Sequence, residues 1–287
     1  MKRLNDIITE RATMTTLVDL TSALEGLASI RIARIKNQVT ESQKFFNELW
    51  RIYNQLRVDR AFRFGRTEKE EIINKDLFII ITAEGGLNGD IDEKLIKWML
   101  ESYDPNKQDI IIIGHHGVLQ LTQAGIGFKK YFKLPESDQN INVKPLVREA
   151  RLYRSTFVYY QSYVSLMVQD VKRIELKKVV QEAGSKVELS AQDVISEATY
   201  IFEPSTYAVV AHLERSMAEI SLLQTLLESK LAQYASRFRA MSVAKKRATE
   251  TEHDLVMHYN QTKRALNDEQ LRDIISGTKK VKSRVAV

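Results

Sequence analysis

The sequence predicts a mixed α/β fold in which the two ends of the chain form a long antiparallel two-helix coiled coil and a small α/β domain is inserted between them. Three observations predict it. Helix breakers are confined to the middle: all four prolines lie between Pro105 and Pro204, and eight of the eleven glycines lie between Gly85 and Gly184. The two ends repeat apolar residues in steps of three and four, the mark of a helix that pairs with another helix. Between them, two short aliphatic runs flank an amphipathic segment, as in a β-α-β crossover.

The first element is a helix over residues 1–75. Leu4, Ile7, Met14, Leu17 and Leu24 open its apolar stripe, and Ile32, Ile35, Val39, Phe46, Leu49, Tyr53 and Leu56 continue it. Gly26 is its one interruption before Gly65, and an internal glycine costs only ~1 kcal/mol. The middle segment, 76–204, changes period. Asp76–Ala83 and Asp109–Gly114 are buried strands, and Leu95–Tyr103 is the crossover helix, so the strands run parallel in a Rossmann-like arrangement. Val147–Tyr153 suits a further helix. Phe157–Val164 and Val171–Val180 suit later strands, with 157–168 also open to a helical reading. The last segment, 205–287, has no glycine or proline through residue 275. Its stripe runs from Leu213 and Met217 to Tyr259 and Leu266, weakened at Gln224, Lys245 and Glu252. Pro204 and Ser205 suit its start and Gly277 its end. The insert joins the end of one helix to the start of the other, so the two must run antiparallel.

Charge follows the same division. The net charge is +6, with +4 on residues 1–75, +5 on 205–287 and −3 between them. The excess positive charge sits on the helices, which suits an acidic partner around them. The absence of cysteine excludes a disulfide scaffold, thiolate-held zinc, iron–sulfur clusters and thiol catalysis. The N-terminal stretch lacks a signal-peptide core, and Asp6, Glu10 and Asp19 argue against a transit peptide. The longest apolar runs fall far short of the ~20 residues of a membrane helix.

Several motifs invite chemistry and do not carry it. Thr82-Ala-Glu-Gly-Gly-Leu-Asn-Gly89 follows a strand like a phosphate loop, but it lacks the Gly-Lys-Ser/Thr element and is not G-x-G-x-x-G. A glycine-permitted turn is the simpler reading. Adjacent His115 and His116 would face opposite sides of a strand, so a loop pair is the simpler reading there too. His253 and His258 are poorly spaced for one metal. The basic runs at 245–247 and 279–284 read as solvated helix faces before nucleic-acid contacts. No catalytic, cofactor or metal site emerges from these residues.

Four stretches resemble the gamma subunit of F-type ATP synthases. Thr82–Asp92 is similar to the signature turn after the first strand: Thr82, Gly86, Leu87 and Gly89 match it. Glu84 stands for Asp, Gly85 for a basic residue, Asn88 for Cys and Asp92 for Asn. Gly114-His-His-Gly117 is similar to the family's Gly-x-Lys-Gly, with His116 in the lysine position. Tyr200-Ile-Phe-Glu-Pro-Ser205 matches the lead into the C-terminal helix. Arg237-Phe-Arg-Ala-Met241, Tyr259-Asn260, Ala265 and Leu271–Gly277 follow the final-helix pattern without a gap, with Asn267-Asp268 in place of Ile-Thr. The chain resembles a divergent bacterial-type member.

The resemblance implies a central-stalk rotor that couples ion flow through a membrane ring to ATP synthesis or hydrolysis in a catalytic hexamer. It implies no catalysis and no cofactor in this chain. It implies shaft helices at 1–75 and 205–287 and a foot at 76–204. Implied partners are the alpha and beta subunits of the hexamer, the epsilon subunit and the membrane c-ring, with no direct nucleic acid contact and no membrane insertion. The implied location is peripheral, on the cytoplasmic face of the cell membrane. Lys263, Arg264, Asp268 and Gln270 fall where the helix meets the catalytic subunits, and Tyr200 and Glu203 where the foot meets the ring. Thr82, Glu84, Gly86, Leu87 and Gly89 would brace the foot against the shaft. Without the resemblance, a basic coiled-coil adaptor binding nucleic acid or protein is the main competing reading. A motor without a membrane ring is a second, and a hydrolase the weakest.

Overall fold

A computed structural model describes residues 4–55, 72–135, 141–185 and 201–285. Helix α1 spans Leu4–Gln55 and helix α6 spans Thr206–Val285. Between them come β1 (Ile73–Ile81), α2 (Ile91–Glu101), β2 (Gln108–Ile113), α3 (His115–Gln123), β3 (Lys130–Phe132), α4 (Lys144–Ala150), β4 (Tyr153–Tyr163), β5 (Gln169–Glu175) and α5 (Leu176–Ser185). The chain divides into two compact units: 1–27 with 240–287, and 28–239.

The larger unit holds a five-stranded sheet in the order β3-β2-β1-β4-β5. β1 is parallel to β2 and to β4, β3 is parallel to β2, and β5 is an antiparallel edge. The predicted β-α-β unit is β1-α2-β2. Leu77–Ile81 is buried at every position, as is Ile110–Ile113, because both faces of these central strands are covered. Alternate side chains divide between the faces. Phe78, Ile80, Ile110, Ile112 and Tyr159 pack with Leu95, Met99 and Leu121 of α2 and α3. Leu77, Ile79, Ile81, Ile111 and Val158 pack with Phe46 and Trp50 of α1 and with Met217, Ala218 and Leu222 of α6.

α6 therefore carries two buried seams in this unit. Leu213, Met217, Ile220, Leu227 and Leu231 form the predicted apolar seam, and Leu227 and Leu231 cluster with Ile32 and Ile35 of α1. A second seam, Ala218, Leu222, Thr225, Ser229, Ala232 and Ser236, is also buried and mostly small. Small residues let the helix axis approach the sheet and the loop after β1 closely. The pairing of α1 with α6 is antiparallel, as expected. Tyr53 donates to Glu214 at 3.2 Å and Gln224 to Gln43 at 3.3 Å, so the partner number falls by ten as the α1 number rises by ten. Gln224, a weak step in the stripe, is thus part of the seam.

The smaller unit repeats this pairing. Thr15 donates to Glu252 at 2.7 Å, and Lys245 bridges to Glu25 at 3.2 Å. Carried toward Leu4, the Thr15–Glu252 register runs out of α1 near residue 263 of α6. α6 then continues without that partner, and Leu266 and Leu271 stand 39 % and 55 % exposed.

Four expectations are corrected. Helix α1 is described only to Gln55, and Ile73–Lys75 belong to β1, tied by the Ile73 amide to the Leu152 carbonyl at 2.8 Å. Val171–Val180 is not one strand: β5 ends at Glu175, and Leu176 and Val180 bury one face of α5. Gly277 does not end α6, which runs to Val285, because one helical glycine costs only ~1 kcal/mol and no proline follows. His115 and His116 are not in a loop but open α3 after Gly114.

Candidate functional site

The signature turn is built on Thr82 at the end of β1. Its side chain is fully buried and its hydroxyl lies 3.0 Å from the Ile113 carbonyl and 3.2 Å from that of Gly114. The same oxygen accepts the Gly117 amide at 2.9 Å. Both glycines of Gly-His-His-Gly follow from this contact. Gly114 has φ +98°, and a Cβ there would sit 2.1 Å from the Thr82 carbonyl oxygen; at Gly117 it would sit 2.6 Å from the Thr82 hydroxyl. The two motifs, whose first residues stand 32 apart in sequence, are one structural device.

Glu84 ties the turn to the next connection. Its carboxylate accepts the amides of His115 (3.3 Å) and Leu134 (3.0 Å) and the hydroxyl of Tyr131 (3.0 Å). Leu87 is exposed and holds φ +69°, and Gly89 holds φ +67°. Asn88 closes the turn by donating to the Gly85 carbonyl at 2.8 Å. Two α6 residues meet its backbone: the Ser236 hydroxyl donates to the Asn88 carbonyl at 2.5 Å, and Arg237 donates to that of Gly86 at 3.4 Å. Arg237 also lies over the Tyr234 ring, 5.6 Å from its centroid. Burial holds the Arg237 guanidinium below its ordinary range, offset by Tyr234 and Asp92.

Asp92, 1 % exposed, anchors a polar network behind the turn. One oxygen accepts the Gln161 side-chain amide at 2.6 Å; the other accepts the Ala83 amide at 3.3 Å and lies 2.8 Å from His116 Nδ1. The Gln161 carbonyl oxygen accepts the Ser229 hydroxyl and, at 3.3 Å, the Gln233 amide of α6. The network therefore joins α2, α3, β4 and α6. Two departures from the family motif, Asp92 for Asn and His116 for Lys, meet each other here. The hydrogen bond to Asp92 raises the His116 pKa above its ordinary value, against a smaller lowering by burial.

That shift has a sign. A raised folded pKa gives stability that is full below the unfolded histidine value of about 6.5 and is lost as pH rises through the folded value. The melting temperature of the wild type should fall over this window more steeply than that of His116→Gln. Parallel profiles would contradict the pairing.

The resemblance-implied contacts are all surface residues where they are described. Lys263, Arg264, Asp268 and Gln270 are exposed on α6, in and beyond the region where α1 runs out. Arg264 and Asp268 share a face one turn apart, and Lys263 and Gln270 share another two turns apart. Lys263 Nζ stands 5.9 Å from the Tyr259 ring centroid. Glu203 is exposed just before α6, where the Ser205 hydroxyl caps the Ala208 amide at 3.3 Å. Tyr200 lies outside the described residues. The structure brings Thr82, Gly86 and Gly89 into one assembly with Ser236 and Arg237. Sequence reasoning missed Gln161, Ser229, Gln233 and Ser236; the available signal was polar residues in otherwise apolar strand and helix runs. Among the described residues there is no group of three potential metal ligands and no helix long and apolar enough to cross a membrane.

The sequence profile of the ATP synthase family matches residues 3–281. The chain belongs to the ATP synthase gamma family. The ATP synthase gamma chain of Mesoplasma florum is 23 % identical over 284 residues, covering 96 % of this chain and 98 % of that one. The gamma chain of Geobacter sp. is 23 % identical over 274 residues, covering 92 % and 93 %. In fold, the chain is similar to a subunit in the cryo-EM structure of the Euglena gracilis mitochondrial ATP synthase OSCP/F1/c-ring. That TM-score is 0.66 at 15 % identity, covering 99 % of this chain and 97 % of the other. A second neighbour is a chain of the Tetrahymena thermophila mitochondrial central stalk and c-ring, with TM-score 0.57 at 15 % identity and coverage of 78 % and 99 %. As a gamma family member the chain is a central-stalk rotor subunit of a rotary ATP synthase. The nucleic-acid adaptor reading gives way, because the family match takes in the basic helices themselves.

Proposed function

We propose that this chain transmits torque between an ion-driven membrane ring and a catalytic hexamer, without catalysing a reaction itself. The paired ends of α1 and α6 serve as the shaft inside a collar of alpha and beta subunits, and the sheet domain serves as the foot on the c-ring beside the epsilon subunit. The functional division follows residues 1–75, 76–204 and 205–287, except that Ile73–Lys75 of β1 go with the foot. The assembly is peripheral, at the cytoplasmic face of the cell membrane.

The observation that carries this reading is the packing of one sheet face on both long helices, with the Thr82–Asp92 turn bonded to Ser236 and Arg237. Rotation of the foot must reach α6 without slippage, and a buried polar network with defined partners resists sliding better than apolar contact alone. An exposed helix bearing charges beyond the end of α1 suits stepwise contact with surrounding acidic loops. Lys263, Arg264, Asp268 and Gln270 act as these catches, and Tyr200 and Glu203 meet the ring. A motor without a membrane ring differs at the last pair.

Lys263→Glu with Arg264→Glu should lower torque and ATP-driven rotation in the assembled complex while leaving assembly intact. Unchanged ATPase rate and torque would sink the assignment of these residues. Co-purification of the full chain with two kinds of nucleotide-binding subunit tests the assembly. A chain that stays alone and binds DNA with a steep salt slope would overturn it.

A further inference from the structure

The sheet domain has a second polar feature, remote in sequence from the signature turn. A cleft of about 440 Å³ lies between α4 and the first turns of α6. Lys144, Arg148 and Arg151 line one wall, and His212, Arg215 and Glu219 line the other. Ser216 adds a hydroxyl and Val147 an apolar patch. Four permanent cations thus face one carboxylate, although the segment 76–204 is net acidic by three charges.

The cations of this domain divide into those that hold a carboxylate and those that do not. Lys75, Lys94, Lys97, Lys130 and Arg154 each hold a carboxylate within 4 Å. Among the described residues, no ion pair satisfies Lys144, Arg148 or Arg215. Arg215 gives its Nε to the Ala211 carbonyl at 3.2 Å, which orients the guanidinium and leaves its two terminal amino groups for the cleft. Gathering like charges is unfavourable for folding alone, so the convergence of Lys144, Arg148 and Arg215 from two elements needs another reason.

We propose that this cleft binds a phosphate-bearing anion. Guanidinium forks and an ammonium approaching from two walls match the tetrahedral, multidentate oxygens of a phosphate. The volume exceeds that of one phosphate ion, so a diphosphate or a phosphate ester with an organic portion fits. Two sources supply that chemistry: a soluble phosphate compound and a phospholipid headgroup. The proposal is independent of the rotor assignment, since a chain can turn in its complex with the cleft empty.

The test uses the full chain, its Arg148→Gln/Arg215→Gln variant and an Arg148→Glu/Arg215→Glu variant. Circular dichroism first confirms that each is folded; the neutral pair removes charge without adding repulsion. Calorimetric titration with inorganic pyrophosphate probes the soluble source. Co-sedimentation with phosphatidylcholine vesicles, with and without phosphatidylglycerol, probes the headgroup. The expected result is a loss of at least about tenfold in affinity for one probe in the neutral pair, and a deeper loss in the acidic pair. A loss confined to pyrophosphate assigns a soluble ligand, and one confined to anionic vesicles assigns a headgroup. Equal binding by all three proteins, or no binding to either probe, overturns the proposal. Continued assembly and rotation of such a chain would leave the rotor function standing.

Discussion

Gly114→Ala should unfold the sheet domain. The new methyl carbon would sit 2.1 Å from the Thr82 carbonyl oxygen, 2.6 Å from its carbon and 2.9 Å from the Ala83 oxygen. All three are backbone atoms at the end of β1, the central strand of the sheet, so none can swing aside as a side chain does. The residue also holds φ +98°, where an L side chain is strained. Strain alone costs roughly 1–3 kcal/mol, and the clash adds to it. Total destabilisation of at least about 3 kcal/mol is a large part of a typical domain stability of 5–15 kcal/mol. Gly125→Ala is the internal control: its φ is +71°, but nothing lies within 4 Å of a Cβ there. Urea denaturation should therefore show a small loss for Gly125→Ala and a collapse for Gly114→Ala. Equal losses would mean that backbone conformation, not the approach to Thr82, makes Gly114 necessary.

Asp92→Ala should be almost as damaging. The buried carboxylate is the acceptor for Gln161 and Ala83 and the partner of His116. Its removal strands a buried amide and a backbone N–H and leaves Gln161 free to release Ser229 and Gln233. Breaking a buried charged network from one side costs about 3–5 kcal/mol. Asp92→Asn separates the contributions. Its carbonyl oxygen can still accept from Gln161, so most stability remains, but the ion pair with His116 goes and with it the excess pH dependence above about 6.5. An Asn variant as unstable as the Ala variant would show that the charge, rather than the hydrogen bonds, carries the site. Hydrogen exchange at Ser229 and Gln233 should rise in Asp92→Ala, because the network is their link to β4.

Much of the fold was legible because local pattern and tertiary packing agree. Leu77–Ile81 and Ile110–Ile113 read as buried strands since both of their faces are covered. The Ile32–Phe46 and Leu213–Leu231 stripes read as partners since each presents its large residues to the other. Legibility failed where one residue serves two surfaces. The second seam of α6, with Ser229, Ala232 and Ser236, is small and partly polar, so periodicity of large residues passes over it. Val171–Val180 mixes aliphatic and charged residues from end to end, yet the chain turns from strand to helix after Glu175 with no breaker to announce it. In the site, Thr82 with Gly114 and Gly117 was visible as motif residues, but their interlock was not, because sequence spacing holds no distance between a strand end and a glycine turn 32 residues on. Gln161 lies 69 residues from Asp92 and 68 from Ser229, so only the folded chain shows why a glutamine interrupts an apolar strand.

As a rotor subunit this chain turns within its complex, and direct observation of rotation tests that best. The chain has no cysteine, so a Lys97→Cys substitution supplies its only thiol, on an exposed side chain of α2. A bead or fluorophore attached there, in a complex fixed through its catalytic subunits, should turn in one direction on addition of Mg-ATP, pausing at three equally spaced angles. A complex that hydrolyses Mg-ATP at full rate while the label stays still would contradict rotation of this chain.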